Sequence, residues 1–245
     1  MKQRADQLLV ERGLTESRSR AQALIMAGKV FSGERRIAKA GELLGPAAAL
    51  EIRGQDHLWV SRGGLKLDHA LRQFGLSSAG RICLDIGAST GGFTDVLLAH
   101  GAAKVHAVDV GHGQLAWKLR NDPRVVVHER TNARLLDRNI IVDPVEALVC
   151  DASFIGLATV LPAGLALCVP NAWAVALIKP QFEAGPRLVG KGGVVRNPAV
   201  HADVCSRIAE WWEGLPGWAV AGITESPITG PEGNKEFLIA AQRHG

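Results

Sequence analysis

Asp85-Ile86-Gly87-Ala88-Ser89-Thr90-Gly91-Gly92-Phe93 closes the apolar run Arg81-Ile82-Cys83-Leu84 and leads into a helical pattern from Thr94 to His100. A buried strand, a glycine-rich turn and a helix N-terminus at about Phe93 form the opening unit of an open α/β sheet. Outward from it the pattern repeats. Lys104 to Val110, Val125 to His128, Ala147 to Asp151 and Ala174 to Ile178 read as further strands, each almost wholly apolar. Strands of that kind are buried on both faces, and their alternation with helices implies a parallel sheet covered on both sides. Ligands then bind beyond the C-terminal strand ends. That rule singles out Asp85, Asp109, Asp151 and Lys179, each at or just past a strand end.

Gly87, Gly91 and Gly92 let the backbone turn sharply and approach a ligand closely, with Ala88, Ser89 and Phe93 completing the loop. A dinucleotide site is built on GxGxxG. Ser89 stands where the second glycine would be, which disfavours close approach by a pyrophosphate. Asp85, opening the loop, suits an amino-acid ammonium better than a phosphate, and Asp109 is placed to accept hydrogen bonds from a ribose diol. A ligand with an ammonium and an adenosine is S-adenosylmethionine; NAD fits less well. Glycine-rich turns also arise for packing reasons, and that alternative stays open at this point.

Four further charges have no evident structural purpose: Lys66 in Ser61-Arg62-Gly63-Gly64-Leu65-Lys66, Asp151 and Lys179 at strand ends, and Glu236 at the start of a late strand. Each alone reads as a solvated charge at the end of an element. Two of them close apolar strands on the functional edge, which favours a site.

Net charge is +4 over 245 residues, unevenly spread. Residues 1–66 carry 12 Lys and Arg against 7 Asp and Glu, and the remainder 16 against 17. A basic appendage on a near-neutral body points to a polyanionic partner. Within it Ala5, Leu8 and Leu9 have helical spacing, and Gly13 stops that helix. Thr15 and Ser17 are N-cap candidates for a second helix with Ala21, Leu24 and Ile25 inward and Gly28 at its end. Val30-Phe31 and Leu50 to Ile52 read as short strands, with a turn at Ser32-Gly33-Glu34. Arg18, Arg20, Lys29, Arg35 and Arg36 cluster nearby, and guanidinium groups grip phosphates bidentately.

The run from Arg4-Ala5-Asp6 through Leu8, Gly13, Ser17-Arg18, Ala21, Ile25 and Gly28 to Val30 resembles the S4 RNA-binding domain over about residues 2–60. It departs where Ser32-Gly33 replaces an Asn-Gly turn. The second module resembles the FtsJ-type ribose 2′-O-methyltransferases, whose Lys-Asp-Lys-Glu tetrad Lys66, Asp151, Lys179 and Glu236 match in order and context. The whole chain is similar to the TlyA (hemolysin A-like) family. The shared segments run from Ser61-Arg62-Gly63-Gly64 through Asp85 to Asp95, Asp109 to Leu115, Asp151 to Ile155 and Lys179 to Glu183, ending at Gly233-Asn234-Lys235-Glu236-Phe237. One departure is Gly64-Leu65, where the family often carries Ala-x before the lysine.

The resemblance implies an S4-like domain over residues 1–60, a linker at about 55–62 and a methyltransferase domain over 63–245. The latter would be a Rossmann-like class I fold with a mostly parallel seven-stranded sheet. It implies S-adenosylmethionine as cofactor, bound by Asp85, Gly87, Ala88, Ser89, Gly91, Gly92, Phe93, Asp109 and Asp151. It implies cytidine ribose 2′-O-methylation of 16S or 23S ribosomal RNA, or both, with Arg4, Arg18, Arg20, Lys29, Arg35, Arg36 and Arg62 contacting RNA. In the expected mechanism Lys179 takes the hydroxyl proton and Lys66 is the second cation, lowering the pKa of Lys179. Asp151 orients Lys179, and Glu236 holds Lys66 or the ribose.

Competing classes are less well supported. A pseudouridine synthase needs a catalytic Asp in an Arg-x-Asp context, and a haemolytic membrane protein needs a secretion or insertion segment. An S4-domain RNA-binding protein without activity is at odds with the intact tetrad. From Ala152 to Ile178 there is no charged residue, but Gly156, Pro162, Gly164, Pro170 and Asn171 divide the stretch into a loop, a helix and a strand. Cys83, Cys150, Cys168 and Cys205 lack CxxC spacing, and the histidines lack metal-ligand spacing, so no metal is expected. Trp59 reads as a packing anchor, with signalling of RNA docking to the active site as the alternative; Trp211 and Trp212 read as helix packing. A cytoplasmic monomer or weak dimer, away from membranes, is the expected form.

Overall fold

The computed structural model describes residues 2–15, 17–46, 48–53, 58–230 and 232–245. Residues 54–57, the first part of the expected linker and His57 among them, lie outside these. The chain forms two compact units, residues 1–58 with 116–118, and residues 59–115 with 119–245.

In the N-terminal unit the order is β1 (Gln3–Arg4), α1 (Ala5–Glu11), α2 (Arg18–Met26), β2 (Val30–Ser32), β3 (Arg35–Arg36), β4 (Leu43–Leu44) and β5 (Leu50–Ile52). Ser17 caps α2, its hydroxyl accepting from Arg20 N at 3.2 Å. Thr15, the other cap candidate, is buried and makes no such bond. Gly28 ends the helix in the left-handed region at φ 71°. Leu9, Ala21, Leu24, Ile25, Val30 and Ile37 share one small core. β3-β2-β5 form an antiparallel sheet and β1 pairs with β4. The two-residue strands β1, β3 and β4 are too short to show a period in sequence.

The larger unit adds α3 (Gly63–Phe74), β6 (Ile82–Ile86), α4 (Gly92–Ala99), β7 (Lys104–Val108), α5 (Trp117–Arg120, whose first two residues belong to the N-terminal unit) and β8 (Val125–His128). These are followed by β9 (Val145–Cys150), α6 (Leu157–Val160), α7 (Pro162–Ala166), β10 (Cys168–Ile178), α8 (Pro180–Glu183), α9 (Pro198–Glu213), β11 (Trp218–Glu225) and β12 (Phe237–Arg243). The sheet order is β11-β12-β10-β9-β6-β7-β8, with only β12 reversed against its neighbours. This is the mostly parallel seven-stranded sheet expected. Leu84, Ile86, Leu148, Cys150, Ala174 and Ala176 of its central strands are buried.

Three boundaries move. α4 starts at Gly92, two residues before Thr94, because Gly91 caps it in the left-handed region at φ 95°. β7 ends at Val108 rather than Val110, where the Asp109 side chain turns back onto backbone amides. β10 begins at Cys168 rather than Ala174, reached through a register irregularity between Cys168 and Trp173. The uncharged stretch to Ile178 resolves into a loop, α6, α7 and β10, and no helix among the described residues is long and apolar enough to cross a membrane.

Strand order turns at β6, with β7 on one side and β9 on the other. The crevice at a switch of this kind opens past the carboxyl ends of both strands. Here those ends are Gly87 and Asp151.

Candidate active site

A cavity of about 420 Å³ opens at that switch point. Gly87 to Thr90 from the loop after β6, Asp151 and Ser153 after β9, and Lys179 after β10 contribute to its wall. Arg62, Lys66 and Glu236 do so from α3 and the approach to β12.

All four tetrad candidates meet there. Lys66 Nζ is 2.6 Å from Glu236 Oε2 and 4.0 Å from Asp151 Oδ2. Lys179 Nζ is 2.6 Å from Asp151 Oδ1 and donates to Asp151 O at 3.2 Å and Ser153 Oγ at 2.8 Å. Lys66, Lys179 and Glu236 are nearly buried, at 6%, 7% and 2% exposure. The result is a row of alternating charges, Glu236, Lys66, Asp151, Lys179, with no net charge. Burying four ions is costly unless each faces an opposite one, and this order provides that. Asp151 Oδ1 touches the ammonium but lies off the hydrogen-bond direction, leaving it without an aligned donor. Gly230 makes room for the Glu236 carboxylate, since a Cβ there would lie 2.7 Å from Oε1.

The glycine loop behaves differently from the expectation. Its close approaches are to protein. A Cβ on Gly87 would lie 2.9 Å from Ala152 N, one on Gly91 2.2 Å from Leu119 Cδ1, and one on Gly92 2.3 Å from Ser61 Oγ. Ser89 is left-handed at φ 49° although it carries a side chain. Its amide donates to Asp109 Oδ2 at 2.8 Å, and Gly111 N donates to Oδ1 at 2.7 Å. Asp109 therefore braces the loop with both oxygens, each keeping a second lone pair.

Asp85 is fully buried and does not line the cavity. Thr94 Oγ1 donates to its Oδ2 at 2.6 Å, while Oδ1 has no partner. Burial, opposed by the Thr94 bond and reinforced by the charges of Asp151 and Asp109, pushes its carboxyl up to about 7. Asp85 thus sits behind the loop, and direct contact with a ligand ammonium is replaced by support of the loop and of α4.

Ser153, Phe154, Phe182 and Glu232 also line the cavity and were not singled out from sequence. Phe154 is 90% exposed, is held at φ 63°, and lies 5.0 Å from the Phe182 ring. Ser153-Phe154 follows Asp151 after a single alanine, so position close to a strand-end carboxylate was the available signal. Trp59 packs onto α3, where a Cβ on Gly64 would fall 2.4 Å from its ring, and its ring centroid is 6.3 Å from that of His100. The neighbouring Val60 N donates to Asp95 Oδ2 at 2.8 Å.

In the N-terminal unit several of the basic candidates are tied into the fold. Asp6 is fully buried and accepts from Arg4 Nε and Nη2 at 3.0 Å, from Arg18 Nη2 at 3.2 Å and from Gln22 Nε2 at 2.9 Å. The Arg4 bond first of all holds this carboxyl far below the usual range. Arg35 pairs with Glu42, and the Arg36 side chain covers Gly28. Arg4, Arg18 and Arg35 therefore have structural partners. Arg20, Lys29 and Arg36 lie on the same unit, Arg20 and Arg36 exposed and Lys29 half-buried.

The chain is similar to known proteins. Residues 59–243 match the FtsJ-like methyltransferase family and residues 3–49 the S4 domain. The Mycobacterium tuberculosis 16S/23S rRNA (cytidine-2'-O)-methyltransferase TlyA is 50% identical over 237 residues, 96% of this chain and 88% of that protein. A solved structure from Streptococcus thermophilus that carries a hemolysin name is 41% identical, with a TM-score of 0.75 over 99% of this chain and 89% of that one. The O-methyltransferase from Bacillus cereus in complex with SAH, at 18% identity and a TM-score of 0.52 over 75% of this chain and 82% of that one, shares the fold.

Proposed function

The chain belongs to the FtsJ-like methyltransferases, in the TlyA group that carries an S4 domain ahead of the catalytic module, and from that premise we propose that it methylates a cytidine ribose 2′-hydroxyl of ribosomal RNA. Its methyl donor is S-adenosylmethionine. The observation that carries the proposal is the row Glu236, Lys66, Asp151, Lys179 at the switch-point cavity.

S-adenosylmethionine supplies a methyl group already activated on a sulfonium. The residues present suit it. Gly87, Ala88, Ser89 and Phe93 line the cavity beside the N-terminus of α4, whose first-turn amides suit a carboxylate. Asp151 supplies negative charge next to where a sulfonium would lie, and Asp109 has lone pairs for a ribose diol.

The protein's remaining tasks are to place the hydroxyl and take its proton. Lys179 does both. Ser153 Oγ, 2.8 Å from its Nζ, marks the position an incoming hydroxyl would take. Asp151 holds the lysine in place. Lys66 supplies a positive charge that favours the developing alkoxide, and Glu236 fixes Lys66. The exposed Phe154, backed by Phe182, offers a face on which an unstacked base can rest. Arg62 on the rim, with Arg20, Lys29 and Arg36 of the basic unit, contacts RNA phosphates. The catalytic domain begins at Trp59, ahead of the boundary at 63 expected from sequence, and the protein acts in the cytoplasm as a monomer or weak dimer.

The test is transfer of labelled methyl to ribosomal subunits. Wild-type protein labels ribosomal RNA at a ribose. Lys179→Ala abolishes transfer while S-adenosylmethionine still binds. Near-normal turnover in that variant refutes the mechanism, and the absence of RNA labelling by wild type refutes the acceptor.

A further inference from the structure

From Ala184 to Ala202 the chain carries three cations, Arg187, Lys191 and Arg196, and no acidic residue. This segment joins α8 to α9 and contains a small hairpin. Gly190 N donates to Val194 O at 3.0 Å, and Gly193 N to Gly190 O at 3.1 Å. Gly192 and Gly193 at the tip have φ 79° and 75°, and a Cβ on either would meet nothing within 4 Å. Glycine is there for the turn and leaves the backbone bare.

The hairpin base is built with care. Asn234, 1% exposed, accepts from Val195 N at 3.0 Å and donates to Gly193 O at 2.9 Å. His201 Nε2 donates to Val195 O at 2.8 Å. Two buried side chains thus hold both backbone groups of Val195, and Val194 and Val195 are themselves buried. Fixing a loop in this way lowers the ordering cost of whatever it binds.

The three cations remain exposed, and none has an ion pair or side-chain hydrogen bond among the described residues. By contrast Arg72, Arg120, Arg124 and Arg207 of the same unit are each tied to a carboxylate. Position adds to this. The hairpin follows α8, whose Gln181 and Phe182 line the cavity, and it is pinned by Asn234, midway between the cavity residues Glu232 and Glu236. One attachment, α8, lines the active site, and the other, Asn234, lies in the segment between two lining residues.

We propose that the hairpin from Gly185 to Asn197 is an RNA-docking element of the catalytic unit, with Arg187, Lys191 and Arg196 gripping backbone phosphates that flank the target nucleotide. This rests on RNA being the acceptor. Such contacts position the strand without reading its sequence.

The test compares wild type with Arg187→Ala/Lys191→Ala/Arg196→Ala and with the charge-keeping Arg187→Lys/Arg196→Lys. Lys235→Ala, which removes an exposed cation paired with Glu225, is the control. Binding to ribosomal RNA is measured between about 50 and 200 mM salt, where each lost phosphate contact flattens the log–log slope by about 0.7–0.9. The triple alanine variant is expected to lose about two units of slope and to raise KM for RNA about 10- to 100-fold, given phosphate contacts of this kind. S-adenosylmethionine affinity and kcat at saturating RNA stay as in wild type. The lysine variant and the control keep the slope. An unchanged slope and KM in the triple variant overturn the proposal. If wild type transfers no methyl to ribosomal RNA while the triple substitution still flattens the slope, the acceptor assignment falls and the docking element stands.

Discussion

Lys66 and Glu236 are the most deeply buried ion pair in the catalytic unit, at 6% and 2% exposure, and separating them tests structure and chemistry at once. With an effective dielectric of about 20, charges 2.6 Å apart attract by about 6 kcal/mol and charges 4.0 Å apart by about 4 kcal/mol. Desolvation of both ions offsets much of this, so the pair adds little net stability. Removing one member is different. Glu236→Gln leaves Lys66 facing only Asp151, which Lys179 already holds at 2.6 Å. Lys66→Met leaves a buried carboxylate with no cation. Each single change is expected to cost about 3–5 kcal/mol. The double variant Lys66→Met/Glu236→Leu replaces the pair by apolar groups and is expected to return to within about 2 kcal/mol of wild type. Chemical denaturation followed by tryptophan fluorescence reads this directly, because five of the six tryptophans, all but Trp117, lie in the catalytic unit. Methyl transfer should be lost in all three variants, including the stable one. Single variants within about 1 kcal/mol of wild type, or a double variant no more stable than the worse single, would refute the reasoning.

Two predictions concern pH. Asp85 has its carboxyl raised by burial to about 7 from 3.8. The stability it contributes is full below 3.8 and is lost as pH rises through about 7. Asp85→Asn should therefore gain stability over wild type progressively from about pH 4 to 7 and level off above, by up to about 4 kcal/mol in all; parallel pH profiles would show that the burial cost is met otherwise. Asp6 has the opposite sign: its carboxyl is depressed, chiefly by Arg4, so its contribution is present above 3.8 and lost as pH falls further. Asp6→Asn should cost about 2 kcal/mol near neutrality, the scale of hydrogen bonds to a charged group, read as faster amide exchange in α1 and α2. Unchanged exchange at neutral pH would count against it.

Much of this was legible in the sequence because the signals were local. The central strands are continuous apolar runs, and burial on both faces follows from composition alone. Ser17 caps its helix as its side chain suggests. Strand ends drew attention to Asp151 and Lys179, and only the resemblance to the FtsJ-type enzymes joined them with Lys66 and Glu236 as a tetrad. What failed to show was depth. Asp85 pairs with Val149, two residues short of Asp151, so the two look alike in sequence although Asp85 is buried within its strand against Thr94 of α4 and Asp151 lies past its strand end at the cavity. Asp6 gave no sign of being a buried hub, since its partners Arg18 and Gln22 come from another helix. α3 was hidden by its first two residues, Gly63 and Gly64, both poor helix formers.

That second glycine has a consequence for how this sequence can change. With the Trp59 ring where a Cβ on Gly64 would sit, 2.4 Å away, the two positions are not free to vary independently. Alanine at 64 is tolerable only once 59 has a smaller or displaced side chain, so mutational paths to the Ala-x form must pass through residue 59 first. The opposite order passes through a clash at the very turn of α3 that carries Lys66. Libraries built on this scaffold should randomise 59 and 64 jointly.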